Sequence, residues 1–461
     1  MKKRFLFFLL GLLVLLAGCK SMSSMAAVEG SLSSGDYLAA VKAVEGQCEG
    51  ADYKGKNRLL YYLDYGCLLH YAGFYEESNR ALDQAEFIAD ELYAKSISRE
   101  TGSWILNDNV KEYAGEEFEL LYVHIFKCLN YIALDNCDDA MVEVRKANLK
   151  MELLENKYRK ATDEYNRNAE AGARVPEADC HFHNSALSRY LGAILYRDDR
   201  SYDDARIESE WMERAFAEQG DVYGFNMPSL PALSEPEDKA LLNVVAFSGL
   251  SPVKTPLNFV VTASSGILSF SATGYDKEYV QDLLGFAVLP WPGTQNINVI
   301  RFEIPILRDR SDVPDRIVAH IDGGAGSEYE LELLENVNSI AKDTYRRKMP
   351  YTAVKTALRV IGKKVGSMAG SKAVGNASGN DALGILSGLL FDIAASATEG
   401  ADTRGSFFLP AYASASEIAL KPGIYNITLE YFHKGTRIFS DVHQGVEVKK
   451  GALNLLESFR F

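Results

Sequence analysis

The sequence contains no Cys-x-x-Cys pair, no Gly-x-Ser-x-Gly elbow, no His-Glu-x-x-His helix and no Walker loop, which removes the usual signatures of zinc modules, serine hydrolases, zinc proteases and nucleotide-binding loops. An excess of positive charge is also missing. Lys and Arg number 49 against 63 Asp and Glu, a net charge of −14 over 461 residues, and loss of Lys2, Lys3 and Arg4 would take −14 to −17. Such a balance repels nucleic acid and anionic head groups, so no nucleic-acid partner is expected. No apolar run is long enough to cross a bilayer comfortably as a helix; Phe5 to Leu16 and Leu383 to Ala397 both fall short. Apart from Cys19, the cysteines are Cys48, Cys67, Cys128, Cys137 and Cys180, an odd number that argues against a disulfide framework. Only Cys180-His181-Phe182-His183 gathers metal-ligating side chains. No second cluster completes a tetrahedral set, so no metal or cofactor is expected and the segment reads as a solvent-facing helix start.

What is present begins at Leu16-Ala17-Gly18-Cys19. Basic residues, an apolar run and then small residues before a Cys have the layout of a lipoprotein signal, residues 1–18, with Cys19 as the acylated residue. Two or three acyl chains, palmitate among them, anchor a protein stably where one does not. Lys20 is not the Asp that retains lipoproteins in the inner membrane of enterobacteria, so a lipid-anchored place on the periplasmic face of the outer membrane is expected. Residues 19–33, small and polar, read as a tether that lets the body stand off from the membrane.

Helical repeats are expected over 34–226. Gly35-Asp36-Tyr37-Leu38-Ala39-Ala40 has the form of a tetratricopeptide turn and second-helix start. It recurs as Gly73-Phe74-Tyr75, Asp135-Asn136-Cys137 and Arg200-Ser201-Tyr202. With Gly73 at the turn, Tyr62, Tyr65, Gly66 and Leu69 fall on packing positions of a first helix and Leu82 and Ala85 on those of a second. The later copies supply Tyr131, Ala140, Ala147, Tyr202 and Ala205. Irregular spacing excludes a strict 34-residue array, and Val142 to Asn168 reads as one long helix. Contacts mostly between neighbouring repeats predict that this half folds without the rest.

Pro228, Pro231 and Pro236 mark a linker, residues 227–239. The period then becomes that of strands, at Leu241 to Phe247, Leu257 to Thr262, Phe286 to Leu289, Ile297 to Ile306 and Arg316 to Ile321. Gly323 to Ser327 reads as a strand-to-helix turn. A basic helical segment, Tyr329 to Lys364, follows, broken or bent at Pro350. Turns at Pro422-Gly423, Lys434-Gly435 and Lys450-Gly451 separate four further strands. The expected fold class is multidomain α+β: helical repeats, then a mainly antiparallel β domain over 240–461 with one sheet and a helical insertion at 328–398.

The densest polar cluster is Thr398, Glu399, Asp402, Thr403 and Arg404. Its carboxylates and guanidinium could hold a cation, clamp a substrate carboxylate or act as acid and base; they could equally cap a helix end and lock a connection through Arg–carboxylate bonds. With these residues the chain resembles a family of bacterial tetratricopeptide-repeat lipoproteins for which no activity is established. The resemblance rests on Ala133-Leu134-Asp135 with Val142 to Ala147, on Gly249-Leu250-Ser251-Pro252-Val253-Lys254, and on Thr398 to Arg404 with Leu409-Pro410. It implies an outer-membrane companion of lipoproteins that activate peptidoglycan synthases, with an envelope protein as partner. A binding or scaffold protein is thus the expected class. The rivals are a cell-wall enzyme using Glu399 and Asp402, and an oligomeric assembly or export component using the small-residue stretch Gly366 to Ala397.

Overall fold

The computed structural model describes residues 25–50, 52–98, 111–168, 181–229, 231–234, 236, 238–264, 267–275, 277–284, 287–290, 297–310, 313–322, 328–368 and 400–461. Cys19, Cys180, Gly323 to Ser327, Thr398 and Glu399 lie outside them. The architecture is mixed α+β, helical in its N-terminal half and mostly stranded after it.

The helices of the first half are α1 (residues 25–33), α2 (Tyr37–Glu45), α3 (Arg58–Tyr71), α4 (Tyr75–Ser98), α5 (Glu117–Ala133), α6 (Cys137–Asn168), α7 (Ala186–Asp198) and α8 (Tyr202–Glu218). One turn recurs between them. Gly35, Gly73, Asp135 and Arg200 have φ of 77, 78, 58 and 63°. After each, the next amide donates to the carbonyl five residues back: Asp36 to Ser31, Phe74 to Leu69, Asn136 to Tyr131, Ser201 to Tyr196. These bonds satisfy carbonyls that a helix end leaves open, and the left-handed residue reverses the chain. Antiparallel hairpins α3/α4, α5/α6 and α7/α8 result.

Small residues at the crossings are required by contact. A Cβ on Gly66 would stand 2.6 Å from Leu82 Cδ2, and one on Gly192 would stand 3.2 Å from Glu208 and Val144 side-chain atoms. Gly66, Leu69, Leu82, Ala85, Ala140, Ala147 and Ala205 are buried; Tyr62, Tyr65 and Tyr131 are half-buried; Gly73 is exposed in its turn. Tyr202, expected among the packing positions, is 51% exposed. It occupies the first turn of α8, where its ring faces outward.

The expected tether is shorter than residues 19–33. Residues 25–33 form α1 because Val28 and Leu32, four apart on one helix face, both enter the core.

The strands are β1 (Ala240–Leu250), β2 (Val253–Ser264), β3 (Ile267–Ala272), β4 (Val288–Pro290), β5 (Ile297–Arg308), β6 (Arg316–Ile321), β7 (Glu328–Glu330), β8 (Glu332–Asn336), β9 (Pro410–Leu420), β10 (Gly423–His433), β11 (Thr436–Val448) and β12 (Asn454–Arg460), with α9 (Lys277–Leu284) and α10 (Val337–Met368) among them. They make three four-stranded sheets, not one: β12-β1-β9-β8, β11-β10-β6-β7 and β4-β3-β2-β5. Pairing is antiparallel except between β1 and β12. The chain after 409 does flank β1, through β9 and β12, while β10 and β11 join β6 in the second sheet.

One further expectation changes. The segment after Gly323 to Ser327 is strand rather than helix, so the helical insertion starts at Val337 and not at 328. The helix α10 is not broken at Pro350, which lies inside it.

The first sheet is covered on both faces, which is why β1 reads as an almost unbroken apolar run. Leu242, Val244 and Ala246 pack with Ile317, Ala319, Ile427, Leu429 and Tyr431 of the second sheet. Val245 and Phe247 share a core with Tyr71, Tyr122 and Phe126 of the helices. The helices therefore form one layer of a three-layer body; their contacts run mainly within and between neighbouring hairpins, as expected, and the shared core adds a face against the first sheet. The third sheet packs Phe259, Phe270 and Phe302 against Met349, Ala353 and Ala357 of α10.

Candidate functional site

Polar chemistry concentrates on the seam where α3, α5 and α7 meet the β layers. The chain from Asp402 to Leu409 is threaded through it. Asp402 and Arg404 form a two-pronged ion pair, with Arg404 Nε 2.8 Å from Oδ1 and Nη2 2.7 Å from Oδ2. Arg404 Nη1 donates to Asn57 Oδ1 and to the Lys111 carbonyl, and its guanidinium lies 5.3 Å from the Tyr113 ring centre. The side chains are 13% and 18% exposed. Of the sequence cluster, Asp402, Thr403 and Arg404 are thus placed, with Thr403 exposed at the surface. This arrangement locks a connection and engages both carboxylate oxygens of Asp402.

Just beyond, two buried carboxylates grip the backbone. Asp64 Oδ1 accepts from Ser406 Oγ at 2.7 Å and from the Phe407 amide at 2.9 Å, and Oδ2 accepts from Tyr53 at 3.0 Å. Glu119 accepts from the Ser406 amide at 2.7 Å, from Tyr113 at 2.6 Å and from the Glu116 amide at 2.8 Å. Burial pushes the Asp64 carboxyl up to about 7 against those three donors. Burial and the neighbouring Glu116 charge also raise Glu119. Glu116 moves the other way: burial raises it, but the charges of Lys254 and Lys348, both in contact with it, bring it down to about 2.

The second grip is Glu335 on β8, fully buried. It accepts from Tyr122 at 2.9 Å, Ser185 Oγ at 2.5 Å, Tyr223 at 3.1 Å and the Leu187 amide at 3.1 Å. A third joins α7 to the first sheet, where Arg197 reaches Glu417 at 2.5 Å, the Ala232 carbonyl at 2.5 Å and Asn243 at 3.0 Å. The proline-rich linker is therefore tied down through Ala232. A fourth is His70, with Nδ1 2.7 Å from Asn130 Oδ1 and Nε2 3.0 Å from Glu457 Oε2 on β12.

Metal-ligating side chains come together only where a cation already stands, among the described residues. Glu86, His124 and Glu143 bring ligand atoms within 4.8 Å of one another. The Lys127 ammonium sits among them, 2.7 Å from Glu86, 3.0 Å from Glu143 and 2.7 Å from Asp83. Burial raises Glu143, but the hydrogen bond from His124 and the Lys127 charge bring it down to about 2. Of the Cys180 to His183 segment, residues 181–183 are described and lead into α7: His183 is exposed, Phe182 is buried, and the His181 and Phe182 amides donate to Asp343 Oδ2 on α10 at 2.9 and 2.8 Å. In the basic segment of α10, Arg347 pairs with Glu117 at 3.2 Å and Lys348 with Glu116, so two of its cations serve the seam.

None of Asp64, Glu119, Glu335 or His70 was singled out by the sequence. Asp64 and His70 are polar residues inside the largely apolar run Leu59 to Tyr71, and Glu335 follows Leu333-Leu334. Their partners, however, are distant in sequence: Tyr122 and Glu335 are 213 positions apart. No family model, curated protein or solved structure matches the chain.

Proposed function

We propose that the protein is a lipid-anchored scaffold of the bacterial cell envelope, held at the periplasmic face of the outer membrane through Cys19, with tetratricopeptide-like hairpins that engage an envelope protein. The observation that carries the scaffold reading is the state of the seam carboxylates. Asp402 is clamped by Arg404, and Asp64, Glu119 and Glu335 each accept three or four donors from their own chain. A cell-wall enzyme needs carboxylates lining an open cleft, and these are buried attachment points.

The seam also decides which surface is left for a partner. The helices α3, α5 and α7 are occupied by the chain's own β layers. The second helices of the hairpins carry the exposed apolar residues Phe87 (64%), Leu149 (55%) and Ile207 (42%), and this outer face is the binding surface in our reading. Support for the repeat assignment comes from the four identical turns and the close crossings at Gly66 and Gly192.

Two experiments test this. In cell fractionation, the wild type is expected in the outer membrane with acyl chains and Cys19→Ala released or unprocessed; an acylated, outer-membrane Cys19→Ala protein overturns the anchor. A photo-crosslinker at Phe87 should capture a defined protein in intact cells that one at Ile424, on the second sheet, does not. Equal capture from both positions overturns the outer-face assignment.

A further inference from the structure

Packing of α1 changes what an amino-terminal anchor does to the body. Val28 and Leu32 are 0% and 1% exposed, so the helix is part of the core rather than of a leash. Glu29 pairs with Arg310 at 3.1 Å, Arg460 donates to the Ser33 carbonyl at 2.6 Å, and the Tyr53 hydroxyl lies 3.9 Å from Met25 Sδ. The helix is thus fastened from its first residue to its last. Five residues, 20–24, separate Cys19 from Met25. Fully extended, the six residue steps from Cys19 to Met25 span at most about 22 Å, and the polar layer of a bilayer is itself several ångströms deep on each side.

We propose that the body is apposed to the membrane by the end at which α1 begins, so that the loop around Tyr53 faces the polar head-group layer. This deepens the reading above and rests on acylation of Cys19. Tyr53 packs on Met25 and holds exposed Lys54, Gly55 and Lys56 beside the start of α1. Lys54 pairs with the exposed Glu49 at 3.3 Å, so the charges of this loop are balanced and it is the short tether that brings the face to the head groups. The hairpins are stacked away from this end. From α1/α2 to α7/α8 there are three hairpin steps of roughly 8–10 Å each, and Asp203 on α8 is 97% exposed there.

The test uses the full acylated chain in vesicles carrying a quencher on the lipid head group. A fluorophore is placed at Lys54→Cys or at Asp203→Cys, with Cys48 and Cys180 changed to Ser. The Lys54 label is expected to be quenched severalfold more than the Asp203 label. Inserting about fifteen Gly/Ser residues after Lys20, enough to raise the mean reach of the tether from roughly 12 to roughly 25 Å, should bring the Lys54 signal down to that of Asp203. Flotation of the protein with the vesicles reads the anchor separately. If the protein floats and both labels are quenched alike, the apposition is wrong and the anchor stands. If the Lys54 label stays quenched with the long linker, the short tether is not what holds this face. If the protein does not float, both readings fall.

Discussion

Arg404, which the sequence leaves open as a ligand clamp or a structural lock, makes the bonds of a lock. Its guanidinium binds Asp402, Asn57 and the Lys111 carbonyl at once, joining three stretches of chain. Removing one partner of a largely buried pair leaves the other charge uncompensated, so Arg404→Ala should cost about 3–5 kcal/mol in a denaturant melt. Arg404→Lys should recover only part, because an ammonium cannot form the two-pronged bond. A melt of Arg404→Ala indistinguishable from wild type would return Asp402 to the list of free, functional carboxylates.

Asp64 gives a pH dependence whose sign can be worked out. Its folded value, about 7, is raised from the ordinary 3.8, so the folded state holds its proton more tightly than the unfolded state does. Its contribution is present below the ordinary value and is lost as pH rises through the folded one. Glu116 and Glu143, brought down to about 2, contribute in the opposite sense, and lose their contribution as pH falls through that value. Urea melts at pH 4.5 and 7.5 isolate Asp64 by difference. Asp64→Asn should gain stability relative to wild type on going to pH 7.5; an unchanged difference between the two proteins would mean that Asp64 is ionised throughout.

At the scale of elements, the turn and the crossing of the hairpins make two opposed predictions. Asp135 and Arg200 occupy the left-handed position that Gly35 and Gly73 fill, at a steric cost of roughly 1–2 kcal/mol for an L-residue. Arg200→Gly should therefore stabilise by about 1 kcal/mol, part of the relief being offset by the freer unfolded glycine. Gly66→Ala should instead destabilise by about 1–3 kcal/mol, because its Cβ would overlap Leu82. Thermal melts of the two variants moving in the same direction would contradict the crossing geometry.

These elements also show what could be read in advance. Alternation revealed β10, where Ile427, Leu429 and Tyr431 are buried between wetter neighbours, and turn signals located the hairpins. Period and turn chemistry are local, so one sequence carries them. The division into three sheets was not legible, because β9 and β12 find β1 across some 160 to 210 residues, a choice made by the shapes of whole layers. The short tether was misread for a related reason: Val28 and Leu32 are only two apolar residues in a small-residue segment, and their burial depends on a distant surface. What Asp64 and Glu119 hold was not legible locally, since their donors at Ser406 and Phe407 lie 287 to 343 positions away.

For the whole molecule, the seam implies that the helical half does not stand alone. Tyr71 donates to the Phe408 carbonyl, Tyr37 to the Phe459 carbonyl, and Phe126 packs on Phe247. A fragment ending at residue 226 would expose this apolar face and leave Asp64 and Glu119 without the donors of residues 406 and 407, so it should lack a cooperative melt. In the proposed scaffold, helices fused to the β layers would present their outer face in one orientation to the membrane.

Native-state hydrogen exchange in rising denaturant tests that unity most directly, because it resolves which segments open together. Amides in the middle of α3 and α5, near Cys67 and Phe126, should merge with those of β1, near Val245, into one unfolding curve with one free energy. Opening of the α3 and α5 amides at distinctly lower free energy, while β1 stays protected, would mean that the helices are a separate unit and that the seam does not hold the molecule together.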